Sequence, residues 1–220
     1  MRFSQATRIF VLILPIILCL EGQNTPSKDA QTETKGLPPR AAPSDYQSKA
    51  QTGAVTIAAE FTGHSLPTLE GPLTTEDYVA VETALFGAAG AQIKISAADF
   101  SLRVNGKKTP LPSQPYGMVL TSLKDPEWVP PEPPAPKSKS SIGGGGQGPG
   151  DSSGPPAPAK IPIAVQRAMA QRVQRASLPA GDRALPQAGL IFFQYRGKNV
   201  QSIELLYEGP AGKATLKLQP

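Results

Sequence analysis

The side chains that could act as catalysts in this sequence are few, and they centre on one histidine. His64 is the only histidine among the 220 residues, so a Ser-His-Asp triad would have to be built on it, and a metal site of two or more histidines is excluded. It lies in the stretch Thr-Gly-His-Ser-Leu-Pro at 62–67, which is typical of a loop. An exposed or hydrogen-bonded loop histidine is the simpler interpretation, and a hydrolase that pairs His64 with nearby carboxylates is the alternative.

Other catalytic and cofactor motifs are missing from the sequence. It contains no Gly-x-Ser-x-Gly elbow, and the glycine run at 143–146 is not followed by the lysine of a phosphate-binding loop. The acidic residues do not show the alternating spacing of a calcium loop, so solvated strand faces explain most of them. We therefore expect no catalytic residue, no cofactor and no metal.

The first 22 residues have the pattern of a secretory signal peptide. Arg2 and Arg8 precede an apolar run at 9–20 that is interrupted only by Pro15 and Cys19. Twelve residues rise about 18 Å as a helix, which is short of the ~30 Å of a membrane core. We predict cleavage after residue 22 and export to the periplasm or beyond; an uncleaved anchor is the alternative.

Cys19 is the only cysteine, and it raises the question of a lipid anchor. Bacterial lipoprotein signals place a small residue before the cysteine, whereas Leu18 stands there. Lipidation of Cys19 is therefore the less favoured interpretation. If the signal peptide is removed, the mature chain has no cysteine and no disulfide.

Two stretches have compositions that do not favour a packed core. Residues 23–52 are polar and proline-bearing and predict a disordered tether. Residues 129–160 are rich in proline and glycine and predict a disordered insertion. Because few strands follow the insertion, they need the earlier strands to bury their apolar faces. We therefore predict a single domain at 53–220 that residues 129–160 interrupt.

Period-two alternation of apolar residues predicts a mainly β domain. In the stretch Val55, Ile57, Ala59 and Phe61, alternate side chains would face a core. Seven or eight short strands with intervening turns favour a two-sheet sandwich. The predicted strands are residues 55–61, 77–86, 92–96, 100–104, 118–122, 189–195, 202–207 and 213–218.

One segment, at about 161–176, has helical rather than strand periodicity. Val165, Met169 and Val173 recur at the spacing of one helix face. Arginines 167, 172 and 175 give this helix a basic character. Docking on the sandwich is the favoured use of the helix, and binding in a partner's groove or on an anionic membrane are the alternatives.

Two short motifs stand out, Asp-Phe-Ser-Leu-Arg at 99–103 and Pro-Ala-Gly at 179–181, which leads to the aromatic strand at 189–193. They resemble the Phe-x-Leu signature and the Pro-x-Gly turn of a family of uncharacterised exported bacterial immunoglobulin-like domains. The resemblance implies an antiparallel immunoglobulin-like sandwich outside the cytoplasm and carries over no site residue. The insertion and the helix depart from the compact family pattern.

The sequence thus predicts an exported, non-enzymatic binding, adhesion or scaffold module of the cell envelope. Its partner would be an envelope or extracellular protein or glycan, reached through loops at 63–75 and 110–116 and around Trp128. The candidate partner-binding residues are Trp128, Arg167, Arg172 and Arg175. Trp128 has a second interpretation as an apolar plug at one end of the sandwich.

Nucleic acids are not expected as partners, and membranes are expected only under particular conditions. Aromatic residues make up only 6% of the chain, which disfavours a nucleic-acid reader that stacks many bases. Membrane contact would require an uncleaved N-terminus or the basic helix. The competing function classes are a hydrolase and a peripheral membrane component.

Overall fold

The computed structural model describes residues 35–129 and 161–220. The predicted signal peptide at 1–22, residues 23–34 of the predicted tether and residues 130–160 of the predicted insertion lie outside them. The strands are β1 (Ser48–Thr52), β2 (Val55–Gly63), β3 (Ser65–Leu66), β4 (Leu73–Thr75), β5 (Tyr78–Phe86), β6 (Gln92–Ile95), β7 (Phe100–Val104), β8 (Leu111–Gln114), β9 (Leu123–Lys124), β10 (Gly181–Ala184), β11 (Gln187–Gln194), β12 (Ile203–Gly209) and β13 (Gly212–Leu218). The α-helices are α1 (Tyr116–Val119) and α2 (Ile163–Ala176).

Eight of the strands form one antiparallel sheet that curls until its edges meet. Its order is β1-β2-β5-β11-β8-β7-β12-β13. The Thr52 hydroxyl, at the end of β1, donates to the Ala211 carbonyl in the β12–β13 turn at 3.0 Å, and the Gln47 amide lies 3.5 Å from the Gln219 carbonyl. The prediction of a mainly β, antiparallel fold is confirmed, and the sheet is a nearly closed barrel.

Strands that precede residues 130–160 in sequence lie next to strands that follow them in this sheet. β11 pairs with β5 over its whole length and with β8 at its end, and β12 pairs with β7 and β13. Alternate side chains of these strands point into the barrel. The largest of its buried apolar residues are Ile57, Leu85, Phe100, Leu102, Ile191, Phe193, Ile203 and Leu205. The strands that precede residues 130–160 and the strands that follow them therefore share one hydrophobic core.

A second apolar layer covers the outside of β5 and β11. Met169, Val173 and Ala176 of α2 pack there in one cluster with Ala80 and Phe192. α1 and the small sheet β3-β4-β9 complete this layer. Because β5 is covered on both faces, its sequence is almost continuously apolar, as is typical of a strand that is buried on both sides.

Residues 35–52 of the predicted tether have defined structure, which corrects the expectation of disorder for these residues. The Leu37 amide donates to the Ala188 carbonyl at 2.9 Å, and Tyr46 packs in an apolar cluster with Ala58 and Ala84. Residues 48–52 pair with β2 as β1. The segment has few large apolar residues, but tertiary contacts bury Leu37 and Tyr46.

Arg40 links residues 35–52 to the sheet through two ion pairs. Its guanidinium contacts Glu60 at 2.5 Å and Glu82 at 2.9 Å and lies over the Tyr46 ring at 4.4 Å from the centroid. Glu60 and Glu82 are directly opposite each other on β2 and β5. Burial lowers the pKa of Arg40, but its hydrogen bonds to the two carboxylates outweigh burial and raise that pKa above its usual value.

The predicted strand at 118–122 is also corrected. These residues form the end of α1 and a 3-10 turn, Leu120–Ser122. The strand that joins the two halves of the sheet is β8, which pairs through only two residues on each side and contains Pro112. So short a strand has no period-two pattern for the sequence to reveal.

Candidate functional site

An open groove lies between α2 and the turn that follows α1. It encloses about 410 Å³. Proline at 162 suits the start of a helix because it lacks the N–H that a first turn cannot use, and the buried stripe of α2 then fixes which face looks toward the groove. Most of the groove lining is apolar. The lining residues are Leu120, Thr121, Leu123, Ile161, Ile163, Gln166, Arg167, Met169 and Ala170.

Arg167 is the charged residue of this groove. It is exposed, and no carboxylate of the described residues forms an ion pair with it. α2 contains no acidic residue, so nothing on its own helix offsets the charge. The groove therefore combines apolar walls with one uncompensated guanidinium.

Apolar side chains at the groove are unusually exposed. Ile163, which lines it, is 66% exposed, and Met118 of α1 is 51% exposed. α1 and α2 lie in contact. An apolar patch beside an unpaired charge is typical of a protein-binding surface.

Arg172, one turn further along α2, holds two loops against the helix. Its guanidinium contacts the Asp125 carboxylate at 2.7 Å and donates to the Gly71 carbonyl at 3.0 Å and the Glu70 carbonyl at 3.3 Å. Its Nε also donates to the Thr68 hydroxyl at 3.3 Å. The loop at 67–72 and the turn at 125–129 are thereby fixed to the same side chain.

Trp128 belongs to the turn that Arg172 fixes. The Asp125 carboxylate accepts from the Glu127 amide at 3.0 Å, and the Asp125 carbonyl accepts from the Trp128 amide at 3.2 Å. The Trp128 side chain is half-buried and belongs to none of the three apolar clusters. Its neighbour Val129 is 80% exposed.

The four residues predicted from sequence thus lie on one side of the molecule with different roles. Arg172 is 13% exposed and positions two loops inside the chain; its part in partner binding stays a prediction. Arg175 pairs with Glu70 at 2.7 Å. Arg167 is the arginine left to meet a partner, and Trp128 lies on the turn that Arg172 anchors.

His64 lies in a separate cleft of about 550 Å³ that is lined by polar residue types. Its Nδ1 is 2.8 Å from the Tyr78 carbonyl; because a carbonyl only accepts, Nδ1 carries a hydrogen and Nε2 is the nitrogen left for other contacts. The cleft carboxylates pair with cations and not with His64, Asp77 with Arg196 at 2.7 Å and Glu76 with Lys124. Among the described residues no carboxylate orients the imidazole, so the arrangement lacks the base–orienter pair of a hydrolytic triad.

The residues that sequence reasoning missed are those of the groove wall and the His64 cleft. Leu120, Leu123 and Ile163 have no motif; only the helical stripe at 161–176 pointed to this side of the molecule. Arg196 and Lys198 of the cleft follow β11 as ordinary loop residues. Their grouping with His64 depends on the pairing of β11 with β5, which no local signal gives.

Comparison with known proteins gives no relative. No family model, no curated protein and no solved structure matches this chain. Within the part of the chain that the structure describes, no group of three or more histidine, cysteine, aspartate or glutamate side chains is placed to hold a metal ion. The helices described here are all too short or too polar to cross a membrane.

Proposed function

We propose that this chain is an exported, non-enzymatic protein-binding module of the cell envelope. Its partner docks in the groove between α2 and residues 118–123. The observation that carries the proposal is Arg167, which has no ion-pair partner among the described residues, at an apolar groove with exposed Ile163. That pattern fits an apolar peptide segment that carries a carboxylate, because the carboxylate would neutralise Arg167 while apolar side chains fill the groove.

The construction of the groove supports binding over catalysis. Its walls come from α2 and from the segment that ends in the turn held by Arg172. Rigid support lowers the entropy cost of binding, since fewer side chains are ordered when the partner arrives. The groove contains no histidine and no acidic side chain, so no general base lines it.

The immunoglobulin-like sandwich and the export of the chain are part of this proposal. In support of a sandwich, β2 and β5 face β7 and β12 across one apolar cluster. In support of export, basic residues precede a short apolar run at the N-terminus. Such a module would act as an adhesion or scaffold component.

The proposal is tested by affinity capture from the cell envelope with matched variants. Arg167→Glu reverses the groove charge and Ile163→Asp places a carboxylate on its apolar wall. Lys107→Glu makes the same charge reversal in the exposed turn after β7 and serves as the control. We expect a protein that wild type and Lys107→Glu enrich equally and that both groove variants lose at least about tenfold. Equal enrichment by all four chains would refute the proposal.

A further inference from the structure

The His64 cleft has features of an anion site that the proposed protein interface does not use. It is lined by His64, Thr75, Glu76, Asp77, Arg196 and Lys198. All six side chains are polar. We propose that this cleft binds an oxyanion, that is, the carboxylate or phosphate group of a small ligand.

Arg196 approaches Asp77 through its inner nitrogen. Its Nε lies 2.7 Å from an Asp77 carboxylate oxygen, and its two terminal nitrogens form no hydrogen bond with the described residues. These nitrogens form the fork that matches the paired oxygens of a carboxylate or phosphate. Asp77 thus acts as a positioning residue that contacts the guanidinium at Nε.

A second cation completes the set of donors, and His64 lies beside it; with the hydrogen on Nδ1, Nε2 of the neutral ring is an acceptor and not one of these donors. Lys198 has no ion-pair or hydrogen-bond partner among the described residues, and Nε2 of His64 is the ring nitrogen that the Tyr78 carbonyl leaves free. Glu76 is the carboxylate that opposes an anion, and Lys124 pairs with it. Once Lys124 is counted, cations outnumber carboxylates around the cleft, so an anion is favoured over a cation.

The loop that carries both cations is built to a fixed shape. The Tyr195 amide donates to the Asp77 carbonyl at 2.9 Å, and the Tyr195 hydroxyl donates to the Asn199 carbonyl at 3.3 Å. A Cβ at Gly197 would collide with the Tyr195 ring. The loop therefore folds over Tyr195, with Arg196 and Lys198 on either side of Gly197.

The single histidine provides a direct probe of binding. The mature chain, prepared without a histidine tag, is titrated with sodium phosphate, sodium acetate or sodium chloride at constant pH and ionic strength. The proton resonance of the His64 ring is followed by NMR. We expect a saturable shift with at least one oxyanion and none with chloride; tighter binding of phosphate would assign a phosphate group, and tighter binding of acetate a carboxylate.

Variants separate the cleft from general charge effects. Arg196→Gln and Lys198→Gln are each expected to weaken binding at least about tenfold, whereas Arg183→Gln on β10 and Lys107→Gln leave it unchanged. Glu76→Gln is expected to tighten binding several-fold because it removes the opposing charge. Circular dichroism and urea denaturation establish that each variant is folded. No saturable shift with either oxyanion, or full affinity in Arg196→Gln, would overturn the proposal.

Discussion

Replacement of Arg172 by methionine tests whether this side chain holds the binding face together. Methionine keeps much of the apolar volume of the arginine stem but removes every donor. The change leaves the Asp125 carboxylate, whose side chain is 14% exposed, without its cation. It also removes a donor from the carbonyls of Glu70 and Gly71.

The expected loss of stability follows from this burial. Removing one partner of a buried ion pair lowers the free energy of unfolding by about 3–5 kcal/mol, whereas an exposed pair contributes about 0–1 kcal/mol. The Arg172–Asp125 pair lies near the buried limit, but Asp125 retains its hydrogen bond from the Glu127 amide. We therefore expect Arg172→Met to lower the free energy of unfolding by about 2–4 kcal/mol.

Arg175→Met is the matched control, because its partner Glu70 is 42% exposed and Arg175 itself 41% exposed. It should cost no more than about 1 kcal/mol. Urea denaturation followed by the fluorescence of Trp128, the only tryptophan, reports the turn that Arg172 holds, and far-ultraviolet circular dichroism reports the sheet. Arg172→Met within about 0.5 kcal/mol of Arg175→Met would refute the reasoning.

Three further predictions concern the barrel, and urea denaturation checks each of them. Arg40→Gln leaves Glu60 and Glu82 facing each other and should destabilise the protein by about 1–3 kcal/mol. An unchanged free energy of unfolding would show that Arg40 does not stabilise the packing of residues 35–52 on the sheet. Gly189→Ala places a Cβ against the main chain of the segment after α2 and should cost about 1–3 kcal/mol, and a neutral result would contradict that close approach. Burial raises the pKa of Asp99, so its carboxylate opposes folding at neutral pH and its protonated form does not. Asp99→Asn should therefore stabilise by a few tenths of a kcal/mol at about pH 7, with the gain gone at about pH 3; a gain that persists in acid would argue against this cause.

The parts of the fold that the sequence predicts are those with strong local patterns. β2, β7 and β12 alternate apolar and polar residues, and each forms close to its expected bounds. β5 reads as a run of residues that suit a buried strand. The helix pattern at 161–176 corresponds to α2, whose apolar stripe is buried as docking on the domain requires.

Elements that depend on distant partners were not predictable. Residues 35–52 look polar, yet Leu37, Arg40 and Tyr46 each find a partner on the sheet. The curling of the sheet depends on β8, which is too short to show a period. Closure into a near-barrel also depends on contacts between the chain's first and last strands, which no local window contains.

The candidate site was predictable in part for the same reason. The sequence identified three arginines on one helix, but it could not separate Arg167 from Arg172. Asp125, 47 residues earlier, decides that Arg172 is used inside the chain. Likewise His64 was recognisable as the only histidine, whereas its neighbours in the cleft come from two distant segments, 75–77 and 196–198.

Cleavage of the chain between its two described parts tests the account most directly, because the shared core and the groove both need residues from either side. A protease site inserted near residue 145 allows the purified protein to be cut once. We predict that the two fragments stay together as a one-to-one complex in gel filtration and unfold in a single urea transition. Fragments that separate without denaturant, or that unfold in two independent transitions, would contradict the account.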